Sequence, residues 1–145
     1  MMLDRHLMDE LQKIGGIEYI ACPQMLSAAR QANHQWEVRL RKSPAGFLRD
    51  YDLLFRLVTR QLLARNWILT TRHPHQTLRL ILQHAYPGHP DDVLDVVQQR
   101  HALKYGHIIE PTPSASRSLQ QLLALMSHAQ SDLHIPVTPD CNYLA

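Results

Sequence analysis

No apolar run in the chain is long enough to cross a bilayer, so a membrane-spanning helical protein is excluded. Cysteine is scarce. Cys22 and Cys141 stand near the two ends without metal-type spacing, which argues against a disulfide framework or a thiolate zinc site and for reduced, structural thiols. The five glycines build no phosphate-cradling loop, and neither a nucleophile elbow nor a carboxylate pair placed for acid–base work is present. Aromatic residues are few, with no RNA-recognition signature and no aromatic platform. Trp36 and Trp67 read as core or interface residues. The opening "MMLDRHLMDELQK" is amphipathic and partly acidic, unlike a signal or transit peptide, so a cytoplasmic protein is expected.

What is abundant is histidine, with ten residues, but their spacing does not form a metal motif. His73 and His75 are two apart and His84 and His89 five apart, with no His-Glu-x-x-His, so neither a metal nor another cofactor is expected. His73 and His89 each precede a proline and are read as helix caps. The net charge of +2 hides an asymmetry. Nine basic residues lie between Arg39 and Arg79, opposed in that stretch only by Asp50 and Asp52, which points to an anionic partner or to a solvated basic face.

A chain of 145 residues suits one domain with a substantial core. Apolar residues recur at helical spacing along most of it, and no strand-like alternation is sustained. Leu3, Leu7, Leu11 and Ile14 form a stripe over residues 1–16 that stops at Gly15-Gly16. "IEYIACP" is a connector, and Pro23 precedes a helix through "QMLSAARQANHQWEVRLRK", which "SPAG" breaks. "FLRDYDLLFRLVTRQLLARNW" is apolar around well over half its circumference and is expected to be the central, most buried helix. "HPHQTLRLILQHAY" and "HPDDVLDVVQQRHALKY" each open on His-Pro, with Asp91, Asp92 and Asp95 as helix-start charges in the second and Gly106 ending it. "EPTPSAS" forms a rigid turn and cap, "RSLQQLLALMSHAQ" a final amphipathic helix, and residues 131–145 an irregular tail. The pattern predicts an all-α, up-and-down helical bundle of four to five core helices plus an extra N-terminal helix.

The stretch "RHALKYGH" carries the chemistry. On a helix, Arg100 falls within about 40° of Val93 and Val96, so it points along the apolar side. A guanidinium there needs an anion, a carboxylate or a wet cleft, unless its stem alone packs while its head snorkels to water. Lys104 shares that face. Tyr105 lies on the flank, and His107 returns toward Arg100 if the turn persists through Gly106. Along the central helix, Arg56 and Arg60 each lie within about 20° of Arg49. That line suits a phosphate backbone, or a face neutralised by pairing such as Asp52 with Arg56.

"VVQQRHALKYG", followed by a proline-bearing turn and a last amphipathic helix, resembles the C-terminal half of HEPN domains, the higher-eukaryote and prokaryote nucleotide-binding helical family. "DYDLLFRLVTRQLLARNWILTTRHPHQTL" resembles that family's central helix and the loop after it, and the likeness spans residues 24–130. It implies a metal-independent endoribonuclease of toxin type, commonly a homodimer whose two motifs face each other across a two-fold axis. Arg100 matches the family's arginine, His101 its polar residue and His107 its histidine at the longest spacing. Tyr105 stands at the shorter spacing, as in branches that serve as partners of nucleotidyltransferases. The resemblance thus implies Arg100, His101, Tyr105 and His107 as catalytic residues, and the charge pattern adds Arg49, Arg56, Arg60 and Lys104 as the residues expected to bind RNA or nucleotide. An antitoxin or nucleotidyltransferase is the implied protein partner, and the alternative is a non-catalytic binding module.

Overall fold

A computed structural model describes residues 3–132 and shows an all-α bundle with one short β-ribbon. The elements are α1 (Arg5–Lys13), β1 (Ile17–Tyr19), α2 (Pro23–Lys42), α3 (Phe47–Leu63), β2 (Trp67–Leu69), α4 (Pro74–Ala85), α5 (Pro90–Lys104) and α6 (Pro113–Asp132). Of the tail expected at 131–145, residues 131 and 132 belong to α6. The remainder, with Cys141, lies outside the described residues.

Local chemistry sets the ends of α1. Asp4 Oδ1 accepts the Leu7 N–H at 2.8 Å, meeting one orphan donor of the first turn. At the other end Gly15 turns left-handed at φ +70°, and the Gly15 and Gly16 N–H groups reach the Gln12 and Leu11 carbonyls, a Schellman closure. Gly16 also lets the chain pass hard against α4, because a Cβ there would stand 2.1 Å from Thr77 Oγ1. Far from being an appendage, α1 buries Leu7 and Leu11 in the common core and ties to α4 through Asp4 and His84, 2.9 Å apart. Each of those leucines contributes roughly 1.5–3 kcal/mol by burial.

The ribbon corrects the expectation of a plain connector at "IEYIACP" and of a helix running through Trp67. Ile17–Tyr19 pairs antiparallel with Trp67–Leu69, Ile17 opposite Leu69. Asn66 at φ 69° reverses the chain after α3, and Tyr19 packs edge-on to Trp67 with ring centroids 5.2 Å apart. Strands of three residues are too short to show a sustained period of two.

α3 is the central helix, packed against α2, α5 and α6. Tyr51, Leu54, Leu57, Val58 and Leu62 are fully or almost fully buried, and Asp50, Thr59 and Gln61 are drawn in with them. Two of these buried polar groups have clear partners: Thr59 donates to the Phe55 carbonyl at 2.8 Å, and Asp50 accepts from Gln120 at 2.8 Å. Arg30 on α2 donates to the Leu63 carbonyl at 2.9 Å, serving the open C-terminus of α3.

Prolines 74 and 90 occupy the first position of α4 and α5, where a missing N–H costs nothing. His73 and His89 stand at the N-cap positions as expected, yet neither side chain caps the backbone. His89 Nδ1 instead meets Asp92 at 3.0 Å. α6 begins four residues earlier than "RSLQQ", because the Thr112 hydroxyl accepts the Ala115 N–H at 3.1 Å and Pro113 suits the first turn. α5 closes at Gly106, φ +74°, with a second Schellman pair: Gly106 N–H to the Leu103 carbonyl and His107 N–H to the Ala102 carbonyl at 2.8 Å. No helix among the described residues is long and apolar enough to cross a membrane.

Candidate phosphate-binding site

Val93 and Val96 of α5 are sealed in the core, and one turn beyond Val96 the same face emerges toward solvent at Arg100. The Arg100 guanidinium lies over the ring of Tyr51 from α3, 5.5 Å from its centroid. Such a cation–π contact orients the group without neutralising it. Among the described residues no carboxylate oxygen comes within 4.0 Å of it, and the side chain is only half-buried. Asp52 is the acid coupled to this corner, with Arg100, Lys104 and Arg56 all acting on it. One carboxylate against three cations leaves the corner positive.

Tyr51 and His75 form the floor. The Tyr51 hydroxyl and His75 Nδ1 are 3.0 Å apart. Burial raises the Tyr51 hydroxyl well above the usual phenol range, with Arg100 acting in the opposite sense and Asp52 in the same one, so it stays protonated. His75 is pushed down to about 4, first by burial and then by the positive charges of Arg100, Lys104 and His101. At neutral pH the ring is therefore neutral, and it shares one hydrogen bond with the Tyr51 hydroxyl whose direction is set by the ring tautomer. Asp52 is exposed as a residue, but partial enclosure of its carboxyl raises it above the usual carboxylate range, against the pull of Arg100, Lys104 and Arg56.

At the open rim, His101 packs against Tyr105 with centroids 4.6 Å apart and lies 6.1 Å from the ring of His107. All three are exposed, as is Lys104. The Schellman closure at Gly106 is what carries His107 back toward the last turn of α5. The structure therefore gathers Arg100, His101, Lys104, Tyr105 and His107 at one end of α5, with the ring contact of His107 made to His101. Chemically, the corner offers a fixed planar fork of donors, a second mobile cation and two exposed imidazoles. That set suits an anionic oxygen flanked by groups able to move a proton.

The line Arg49–Arg56–Arg60 is dispersed by its neighbours. Arg60 makes a bidentate pair with Glu37 of α2, Nε to Oε1 at 2.9 Å and Nη2 to Oε2, and Glu37 is almost wholly buried. Arg49 Nε lies 3.0 Å from Asp50. Arg56 makes no ion pair with Asp52 within 4.0 Å; its guanidinium rests 5.3 Å from the centroids of Trp36 and Phe55. Trp36 belongs to no core: it is 44% exposed, with the Arg39 guanidinium 4.9 Å from its ring.

From sequence alone Tyr51 has no role, Asp52 is weighed only as a partner for the basic residues and His75 only for metal-type spacing. Tyr51 shares the buried stripe of Leu54 and Val58, so its hydroxyl needed a partner, and that need was the available signal. Among the described residues no group of three or more His, Cys, Asp or Glu side chains is placed to hold a metal ion. Comparison with protein-family models, curated proteins and solved structures finds nothing that matches this chain.

Proposed function

We propose that the protein is an RNA-directed helical module, similar to HEPN domains, in which Arg100 holds a phosphodiester and the neighbouring imidazoles cleave it without a metal. The observation that carries this reading is a guanidinium seated on an aromatic ring at the mouth of a positive corner, with no carboxylate within 4.0 Å among the described residues. A guanidinium held in that way meets two non-bridging oxygens in bidentate fashion and stabilises the charge that grows on them in the transition state.

In the reaction, a ribose 2′-hydroxyl attacks its own phosphorus, the O2′–P bond forms and the P–O5′ bond breaks. One imidazole of the His101–His107 pair takes the 2′ proton, and a protonated imidazole or water supplies one to the leaving O5′. The products are a 2′,3′-cyclic phosphate and a 5′-hydroxyl. Lys104 neutralises an adjacent phosphate, and Tyr105 donates a hydrogen bond or stacks on a base. Pairing of two copies across α5 would double the local positive charge, in keeping with a homodimer, and a toxin-type role would bring an antitoxin as partner.

A second reading is favoured by one observation: Tyr105 is 60% exposed and packs on His101, which equips the rim to bind nucleotide without cleaving it. In that case the module serves a partner such as a nucleotidyltransferase. A single assay separates the two. In EDTA, a fluorescent single-stranded RNA is incubated with the protein and with Arg100→Ala. Cleavage to cyclic-phosphate ends that is lost in the variant supports the ribonuclease. Tight binding with intact RNA supports the binding module, and neither binding nor cleavage refutes both.

A further inference from the structure

Beside the phosphate corner lies a cleft of about 140 Å³ between α2 and α3, lined by Trp36, Leu40, Asp52, Phe55 and Arg56. It adjoins that corner through two residues. Asp52 lines the cleft and also acts electrostatically on Arg100 and Lys104, and the Phe55 ring lies 5.8 Å from that of His75. We propose that this cleft is a subsite for one unpaired nucleobase of the RNA, stacked on Trp36 and read by the Asp52 carboxylate, with guanine preferred over uracil. The inference rests on the reading of Arg100 as a phosphate-holding group.

Size favours a single ring system. Sites for drug-sized ligands start near ~300 Å³, so this cleft is too small for a whole nucleotide and leaves sugar and phosphate outside, where the cations stand. The lining is the kind that unpaired bases use: an exposed indole, a phenyl ring and a guanidinium plane. Trp36 is 44% exposed, with the Arg39 and Arg56 guanidiniums over its ring, so the indole is within reach of a stacking guest. Arg39 is exposed and sits on the same helix as Trp36. It can lift from the indole onto a phosphate as the base arrives, exchanging a cation–π contact for a charge-assisted one.

Asp52 gives the choice of base. A carboxylate accepts hydrogen bonds and donates none when ionised, so it fits an edge rich in donors. Guanine presents N1–H and the exocyclic amine side by side and can engage both oxygens. Uracil presents one N–H between two carbonyls, which the carboxylate repels. The two helices that form the cleft are tied to each other: Asn33, buried on α2, donates to the Arg56 carbonyl at 3.1 Å, and the Glu37–Arg60 pair joins the same two helices. The walls are therefore set before the base enters, which favours selection over adaptation.

The test uses the full chain carrying Trp67→Phe, so that Trp36 is the only indole. It is titrated with fluorescein-labelled 2′-O-methyl heptamers whose anisotropy reports affinity in every variant, while Trp36 emission is followed where the indole is kept. One heptamer is all uridine, and the other has a single central guanosine. Expected results are quenching of Trp36, affinity about tenfold higher for the guanosine oligomer, and loss of that preference in Trp36→Ala and in Asp52→Asn. Trp36→Phe should retain it in part. Circular dichroism checks that each variant folds, which the exposure of both side chains favours. Arg100→Ala should weaken both oligomers alike while the guanosine preference and quenching persist. If instead Arg100→Ala leaves affinity unchanged but quenching and preference remain, the subsite stands and the phosphate reading falls. If Trp36→Ala binds both oligomers like the parent, or the parent shows no preference, the base subsite is overturned. If no oligomer binds and Trp36 emission shifts only with protein concentration, the cleft is a self-association surface and the inference is overturned as well.

Discussion

His75 provides a physical prediction that needs no RNA. Its ring is half-buried beneath Arg100 and is held down to about 4, chiefly by burial and then by Arg100, Lys104 and His101. In the unfolded chain the same imidazole titrates near its ordinary 6.5. Between these values the unfolded state binds a proton that the folded state refuses, so stability falls as pH is lowered through that window and is fully present above it. At roughly 1.4 kcal/mol per pH unit the upper bound is about 3 kcal/mol. Solvent screening of a half-open ring reduces it to about 1–2 kcal/mol. Urea unfolding of the parent and of His75→Asn at pH 7.5 and 4.5 isolates this contribution from other titrating groups. The parent should lose about 1–2 kcal/mol more than the variant on acidification. The His75 ring resonance, followed by NMR, should titrate far below 6 in the parent. In Arg100→Gln its midpoint should rise only part of the way, because burial remains the larger cause. A midpoint at or above 6.5, or equal acid sensitivity of the two proteins, would refute the reasoning.

Three further outcomes follow from the packing. Gly16→Ala drives a Cβ into Thr77 and should destabilise the protein by about 1–3 kcal/mol, with Thr77→Ala in the same chain recovering a large part in thermal melts. The Glu37–Arg60 pair is asymmetric. Arg60→Met strands a buried carboxylate and should cost about 3 kcal/mol by denaturant titration, whereas Glu37→Gln leaves the half-exposed Arg60 free to hydrate and should cost less. Asp4→Ala removes both the α1 cap and the contact with His84, for a loss of about 1 kcal/mol measured the same way.

The helices were legible because their signals are local and redundant. The stripe Leu7–Leu11, the Gly15-Gly16 stop, the prolines at 74 and 90 and the all-round apolar α3 each state their structure within a few residues. The β-ribbon was not, since its strands are only three residues long and pair positions far apart in the chain, Glu18 opposite Ile68. The corner at Arg100 was half legible. A guanidinium on the Val93–Val96 face announces a need for a partner, but which groups meet it depends on how α3 and α4 lie beneath α5, and Tyr51 and His75 carry no sign of that. The arginine line of α3 shows the converse: periodicity aligned three charges, and neighbours contributed by α2 and by Asp50 engaged them separately.

Arg100 is the group expected to receive a phosphate, and the affinity of a non-cleavable, 2′-O-methylated all-uridine heptamer tests this directly. Substitution to alanine should weaken binding tenfold or more and flatten its salt dependence, and lysine should restore only part, lacking the bidentate fork. Unchanged affinity and an unchanged salt slope in the alanine variant would contradict it.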